Sequence, residues 1–336
     1  KLITLVGVVP LALPAYVLAY SFLGLGGYNG LLSQFLGLDV GRIHGFWGSL
    51  LVLSLYTYPY LFLNIRTALN GMDPSLEEAS RSLGYSARGT FLHVVLPQLK
   101  PGIYAGALLV ALHVVGDFGA VSLMRFETFS YALYLQYMTA FDRFYAAWLA
   151  LILLGLTSLA LVLEYQLLKR AIFHRLGSGS QKQKRIYSLG PWRWAAYAFV
   201  LILALLAIIL PVSSISYWMI NGFNPDLLDS LFSALRDSVT ASLPAAILTP
   251  LLALPLAFLS LRYSSAVSHI LERVAYLGYA TPPLAFGLAF AFFALYLVPA
   301  LYQSLALLII AYVLHFLAEG MGPVRSALYQ TPPRLE

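Results

Sequence analysis

The sequence predicts an all-α fold, a polytopic bundle of transmembrane helices. Of the 336 residues, 60% are hydrophobic and only 10% are charged, whereas a soluble domain carries about 25% charged residues. The mean hydropathy of the chain is +0.80. Eight segments also have the roughly 20 mostly apolar residues that a helix needs to cross a bilayer. This composition excludes a soluble globular protein.

Each of these eight segments is predicted to form one span. Several contain proline, which breaks helices in water. In a membrane bundle, neighbouring helices satisfy the backbone groups that proline leaves free, so the prolines are compatible with spanning helices. The predicted spans cover residues 2–24, 46–67, 103–124, 146–168, 193–218, 238–260, 274–296 and 301–325.

The loops between the spans differ in charge, and this difference predicts their side of the membrane. Segment 168–193 has seven basic residues and no acidic residue, and loop 68–102 adds three more basic residues. Because Lys and Arg concentrate in cytoplasmic loops, these two segments and 261–273 are placed in the cytoplasm, together with both ends of the chain. The net charge of +6 then reflects orientation in the lipid bilayer, and nucleic acid is not expected as a partner.

The chain contains an internal repeat. Residues 65–77 match residues 324–336 at a fixed offset of 259, with six of thirteen positions identical. Both copies lead from a predicted span into the cytoplasm, so the repeat is parallel. The first repeat, without its N-terminal part, is predicted at 1–170, a flexible linker at 171–192, and the second repeat, truncated where its own loop begins, at 193–336. A complete chain of this kind would have roughly twelve spans.

The polar loop 71–102 is predicted to contain two short helices at an angle. Asp73 caps the first helix, and Gly84 supplies the positive-φ turn that ends it. Ser86 caps the second helix, and Pro97 ends it.

The first loop helix is predicted to be amphipathic. Leu76, Ala79 and Leu83 share one face at helical spacing. Glu77 and Glu78 lie near the positive end of the helix dipole, which favours acidic side chains. A helix pair of this composition either lies on the membrane surface or presents its apolar stripe to a partner on the water side.

The loop sequence resembles the EAA loop of ABC importer permeases. Glu78-Ala79-Ser80, Gly84 and Val94-x-Leu96-Pro97 reproduce the spacing E-A-A, three residues, G, nine residues, I-x-L-P. Ser80 stands where the motif often has a second alanine, and Val94 where it often has isoleucine. On these residues the chain is identified as a member of the MetI-like permeases, the inner-membrane components of binding-protein-dependent transport. Two repeats in one chain, and the runs 10–20 and 117–121, are similar to the fused ferric-iron permeases.

This resemblance implies a transport subunit. Two cytoplasmic ABC ATPase subunits would bind ATP and magnesium and hydrolyse the ATP, whereas this chain would hold no cofactor and no catalytic residue. An extracytoplasmic solute-binding protein would deliver ferric iron, or alternatively thiamine or another small solute, to the bacterial or archaeal cytoplasmic membrane. The residues that the motif match assigns to ATPase coupling are Glu77, Glu78, Ala79, Ser80, Gly84, Leu96 and Pro97.

Asp117 is the candidate residue of the translocation path. It lies about 14 residues into the predicted span 103–124, and ionisable groups within a membrane are costly and usually functional. The alternative is a structural role, as a hydrogen-bonding partner of a neighbouring helix. No metal site is predicted, because the chain has no cysteine and its six histidines show no ligand spacing.

Two other functional classes make different predictions. An ion-coupled secondary transporter would have several intramembrane carboxylates and no docking loop, but this chain has few such carboxylates and does have the loop. An intramembrane enzyme would have a catalytic constellation such as H-E-x-x-H, and neither this motif nor G-x-x-x-x-G-K-[ST] occurs in the sequence.

Overall fold

The computed structural model shows an all-α chain, with no strand among the residues that it describes. Within the described part of the chain, four helices are long and apolar enough to cross a membrane, or five if one bent pair counts as a span, and three further apolar helices are shorter. The predicted class, an all-α membrane bundle, is confirmed. The described residues are 2–28, 30–38, 40–72, 74–138, 143–169, 189–222, 224–263, 268, 270–271, 274–275, 278–279 and 281–330.

The first part of the chain contains seven described helices, and α5 and the start of α6 form the polar loop. The seven helices are α1 Leu2–Val8, α2 Ala15–Leu23, α3 Leu31–Leu36, α4 Gly45–Gly71, α5 Pro74–Ser82, α6 Ala87–Gly116 and α7 Gly119–Leu123.

The remaining helices contain most of the apolar length of the chain. They are α8 Phe129–Met138, α9 Arg143–Lys169, α10 Trp192–Asn221, α11 Leu228–Arg262, α12 Pro283–Leu297 and α13 Leu305–Gln330. Short 3₁₀ turns cover Val9–Ala12, Pro225–Leu227 and Pro299–Leu301.

The first predicted span, 2–24, is wrong as a continuous helix. The segments Ile3–Ala12 and Ala15–Leu23 meet at a bend of 93°. Leu13 lies at the bend with φ −100° and ψ 114°, the extended conformation that a following proline imposes on the residue before it. Pro14 therefore ends one helical segment and begins the next.

The seventh predicted span, 274–296, is also interrupted. Thr281 and Pro282 are non-helical, and α12 begins after them. Pro282 has φ −53° and ψ 135°, close to the φ −57° and ψ 146° of Pro14. By contrast, α4 continues through Pro59, and the 35-residue α11 continues through three prolines, as membrane packing permits.

The third predicted span, 103–124, has different limits in the structure. The helix begins at Ala87 within the loop and ends at Gly116, so it includes Pro97 and Pro101. It packs on α4 through Gly102 and Gly106.

A Cβ added at Gly102 would lie 2.8 Å from the Cβ of Ala68, and one added at Gly106 would lie 2.9 Å from the Cα of Leu61. Small residues at a G-x-x-x-G spacing allow this close approach of two membrane helices.

Two compact units group the helices. One comprises Lys1–Tyr131 and Leu159–Asn221, and the other Ala132–Ser158 and Gly222–Glu336. Compactness depends on packing, whereas the predicted repeats depend on sequence similarity, so the domain limits at 1–170, 171–192 and 193–336 stay a prediction. In the repeat copy, 324–330 continue α13, and 331–336 lie outside the described residues.

Each unit has its own apolar core. In the first unit, Leu18, Phe22, Val52 and Met124 are buried where α2, α4 and α7 meet. In the second unit, α11 and α13 pack around Ala253, Ala275, Leu317 and Met321, while α8, α9 and α12 bury Leu133, Leu149 and Ala285.

Candidate functional site

The first loop helix, α5, begins with residues that are typical of a helix start. Pro74 occupies its first position, where the missing N–H has no partner to lose. Glu77 lies in the first turn and pairs with Arg81 one turn later, with 3.1 Å between Oε1 and Nη2. An exposed pair at this spacing stabilises a helix by about 0.2–0.5 kcal/mol. The predicted cap, Asp73, lies outside the described residues.

Gly84 ends α5 as predicted. Its φ is +87°, a value that glycine adopts without steric cost. The Gly84 N–H donates to the carbonyl of Arg81 at 3.0 Å, and the Tyr85 N–H donates to the carbonyl of Ser80 at 3.3 Å. These two bonds form a Schellman motif.

The second loop helix begins where the sequence predicts, and it forms the first part of α6. The Ser86 Oγ accepts a hydrogen bond from the Gly89 N–H at 3.2 Å, which confirms the predicted cap. The prediction that Pro97 ends this helix is wrong. A π turn over Phe91–Val95 bonds the Leu96 N–H to the Phe91 carbonyl and shifts the hydrogen-bond register just before Pro97. The missing N–H of Pro97 then falls in the first turn of the α-helical segment, where it is tolerated.

A contact between two side-chain hydroxyls joins the two loop helices. The hydroxyls of Ser80 in α5 and Thr90 in α6 share a hydrogen bond, with 3.2 Å between Oγ and Oγ1. Both residues are buried. Ser80 was singled out as a variant of the EAA motif, but its partner ten residues later carries no signal in the sequence.

Apolar side chains on the outside of the loop remain exposed. Leu83 is 78% exposed, and Ala79 is exposed next to it on the predicted apolar face. In α6, Val95 is buried, while Val94, Leu96 and Pro97 are half-buried. We call the exposed set the loop apolar surface; it consists of Leu76, Ala79, Leu83, Tyr85, Phe91 and Leu92.

The loop apolar surface lies beside charged groups. Glu77 and Glu78 are half-buried on α5, and Arg81 and Arg88 are exposed. The surface thus combines apolar area with both signs of charge, a composition that suits binding to another protein.

Asp117 does not lie within a helix. It follows α6 directly, and its Oδ1 accepts hydrogen bonds from the N–H groups of Ala120 at 3.0 Å and Val121 at 3.2 Å. The carboxylate therefore caps α7. The Asp117 carbonyl accepts a further bond from the Ser130 Oγ at 2.5 Å. The prediction that Asp117 lies within a continuous spanning helix is wrong. The helix ends at Gly116, because an aspartate that binds nearby N–H groups competes with helix continuation.

The residue one turn before Asp117, His113, contacts α4. The centroid of its ring lies 4.2 Å from the ring centroid of Tyr60, and its Nδ1 lies 2.9 Å from the carbonyl oxygen of Leu109. Among the described residues, no group of three or more His, Asp or Glu side chains could hold a metal ion.

The fold and the loop together define a polytopic helical membrane protein with an exposed two-helix loop built directly onto a membrane helix. A family model, described as binding-protein-dependent transport system inner membrane component, matches residues 1–177. The chain belongs to this family. The match ends within the predicted linker 171–192.

Several transport permeases are similar to the chain. Fe(3+)-transport system permease protein FbpB 2 of Haemophilus influenzae is 30% identical over 331 residues, which cover 97% of this chain and 63% of the relative. This chain thus spans less than two thirds of the length of that protein. Molybdenum transport system permease protein ModB of the same species is 33% identical over 54% of this chain and 82% of its own length.

Sulfate transport system permease protein CysT of Salmonella typhimurium is 32% identical over 33% of the chain and 41% of its own length. No solved structure matches the chain significantly.

Proposed function

We propose that this chain is the membrane permease of an ATP-driven importer in the bacterial or archaeal cytoplasmic membrane. The observation that carries the proposal is that α6 begins within the exposed loop. It then runs on to Gly116 as one long apolar helix. A partner bound to the loop acts directly on a spanning helix, because no flexible segment separates the two. The family membership supports this function.

The partner on the loop is an ATPase subunit. The loop apolar surface supplies the area that the ATPase buries, and Leu83 is the most exposed of its large side chains. Glu77 and Glu78 face basic residues of the ATPase. Gly84 sets the bend between the helices, and Leu96 and Pro97 lie where α6 leaves the loop.

The full importer contains two ATPase subunits and an extracytoplasmic solute-binding protein. ATP and magnesium bind to the ATPases, and this chain contributes no catalytic residue. The binding protein delivers cargo to the outer face, and ATP closes the two ATPases. Their movement shifts the bundle between inward-facing and outward-facing states, a change between two conformations that the ligands select.

Ferric iron is the proposed cargo. The similarity to FbpB 2 extends over 97% of the chain, whereas the similarity to ModB covers 54% of it. Molybdenum and sulfate are the second candidates. Uptake of radioactive ferric iron, molybdate and sulfate by cells that express the complete permease with its partners separates them, and saturable uptake of ferric iron is the expected result.

Asp117 is proposed to line the translocation path. The support for this role is the position of an ionisable side chain next to the membrane helix α6. Its Oδ1 also caps α7, which supports the alternative, structural role. A path residue must affect uptake beyond its effect on the fold, so the two roles are separable by substitution.

The docking role of the loop is tested by substituting Gly84. Gly84→Pro is expected to abolish co-purification of the ATPase, because proline fixes φ near −65° and the native φ is +87°. Gly84→Asn is the matched control, since asparagine tolerates positive φ, and it should retain the ATPase. A Gly84→Pro chain that keeps the ATPase with normal stimulated turnover contradicts the docking role.

A further inference from the structure

The hydroxyl pair of Ser80 and Thr90 is unusual for its place in the molecule. Ser80 is 6% exposed and Thr90 is 1% exposed, although residues 81–88, eight of the nine residues between them, are all exposed. Their hydroxyls are 3.2 Å apart. The carbonyl of Ser80 also accepts the Tyr85 N–H that closes the Schellman turn. Ser80 thus stabilises the turn through its carbonyl and the contact between the two helices through its hydroxyl.

This contact supplies a constraint that the turn alone does not. Gly84 has no neighbouring atom within 4 Å of where a Cβ would lie, so no packing around the turn residue itself reinforces the angle. A buried hydroxyl that loses its partner carries a desolvation cost. Swinging α5 away from α6 would expose or unpair both hydroxyls, so the bond favours one angle between the helices.

Thr90 lies in the first turn of α6, and α6 is held against α4 by the close approach at Gly102 and Gly106. A force on α5 that passes through Ser80 to Thr90 therefore reaches a helix that is already packed against a second spanning helix.

We propose that the Ser80–Thr90 hydrogen bond fixes the angle between α5 and α6 and thereby transmits movement of the bound ATPase to the membrane helices. The proposal rests on the proposed function of the loop as the ATPase-docking site. Ser80 and Thr90 are positioning residues. They act through the direction of α5, and the loop apolar surface makes the contact with the ATPase.

The first test measures the angle directly in the permease without its ATPase. The sequence contains no cysteine, so Ala79→Cys and Arg88→Cys provide two defined sites for nitroxide labels on the two helices. Electron paramagnetic resonance then reports the distribution of distances between the labels. Thr90→Val and Ser80→Ala should broaden this distribution.

Two control variants keep the contact. Thr90→Ser retains the hydroxyl, and Ser82→Ala removes a hydroxyl that bonds within α5 to the Glu78 carbonyl. Both should leave the distribution narrow. An unchanged distribution in Thr90→Val and Ser80→Ala overturns the proposed constraint.

The second test measures coupling in proteoliposomes that contain the ATPase and the binding protein, with ferric iron as the probe. Thr90→Val should retain the ATPase but transport roughly 2- to 10-fold less iron per ATP hydrolysed, the range that corresponds to one hydrogen bond. The double variant Ser80→Ala/Thr90→Val should be no worse than either single variant, because both remove the same bond.

The outcomes separate this proposal from the proposed function. Failure of the unaltered permease to retain the ATPase contradicts the docking role of the loop, while the label distances still decide whether the bond fixes the angle. Broadened distances with an unchanged ratio of iron to ATP overturn the transmission of movement.

Discussion

At the scale of single residues, Asp117 shows how one side chain ends a helix and begins another. Its Oδ1 accepts two N–H groups of α7, and its carbonyl accepts the Ser130 hydroxyl. Hydropathy alone extends the span through this position, because the flanking residues are apolar. The capping bonds reach only three and four residues along the chain, so the aspartate just before α7 was a local signal for a cap, which hydropathy does not register.

Substitutions of Asp117 distinguish its two roles. Asp117→Ala should lower the unfolding free energy by about 1 kcal/mol through loss of the cap, whereas Asp117→Asn keeps an Oδ1 acceptor and should melt like the parent. If the carboxylate lines the path, Asp117→Asn reduces ferric-iron uptake severalfold at unchanged assembly. Thermal melting in detergent and uptake in proteoliposomes measure the two effects. Full uptake by Asp117→Asn would contradict the path role and leave only the structural one.

At the scale of helices, α6 is notable for its continuity through the loop and for its close contact with α4. The turn at Gly84 and the cap at Ser86 were predictable, because each depends on residues within one turn of the chain. The passage of α6 through Pro97 was not, because it depends on the π turn over Phe91–Val95. The Ser80–Thr90 contact likewise required the two helices to be placed in space.

Two glycine substitutions test the packing of α6 on α4. Alanine normally stabilises a helix interior relative to glycine by about 1 kcal/mol, and Gly155→Ala in α9 should follow this rule because no atom lies within 4 Å of the added Cβ. Gly106→Ala should instead destabilise by about 1–3 kcal/mol, because the Cβ would lie 2.9 Å from the Cα of Leu61. Melting of both variants in detergent is the measurement. Equal shifts in the same direction contradict the close helix contact.

At the scale of the whole molecule, orientation in the membrane is the prediction with the widest consequence. The loop can meet an ATPase only if it lies in the cytoplasm, as its charge predicts. Arg88 lies in the first turn of α6 and Glu127 lies beyond α7, and α6 has 30 residues and is about 45 Å long. The two exposed residues are therefore expected on opposite sides of the bilayer.

Single cysteines at these positions test the orientation. Arg88→Cys should react with a membrane-impermeant maleimide in inside-out vesicles, and Glu127→Cys in right-side-out preparations. Because the sequence has no cysteine of its own, each label reports one site. Reaction of both variants from the same side contradicts the predicted topology, and detergent-solubilised protein serves as the control for reactivity.

The sequence by itself determined the all-α membrane class, the approximate positions of the apolar helices and the loop with its glycine turn and serine cap. These properties depend on composition, on hydropathy and on neighbours within a few residues. Only the tertiary structure decided where helices break or continue at Pro14, Pro97 and Pro282, and how Ser80 meets Thr90. Those outcomes depend on groups that approach one another when the chain packs, since a proline or a hydroxyl has the same local sequence whether or not a partner is present.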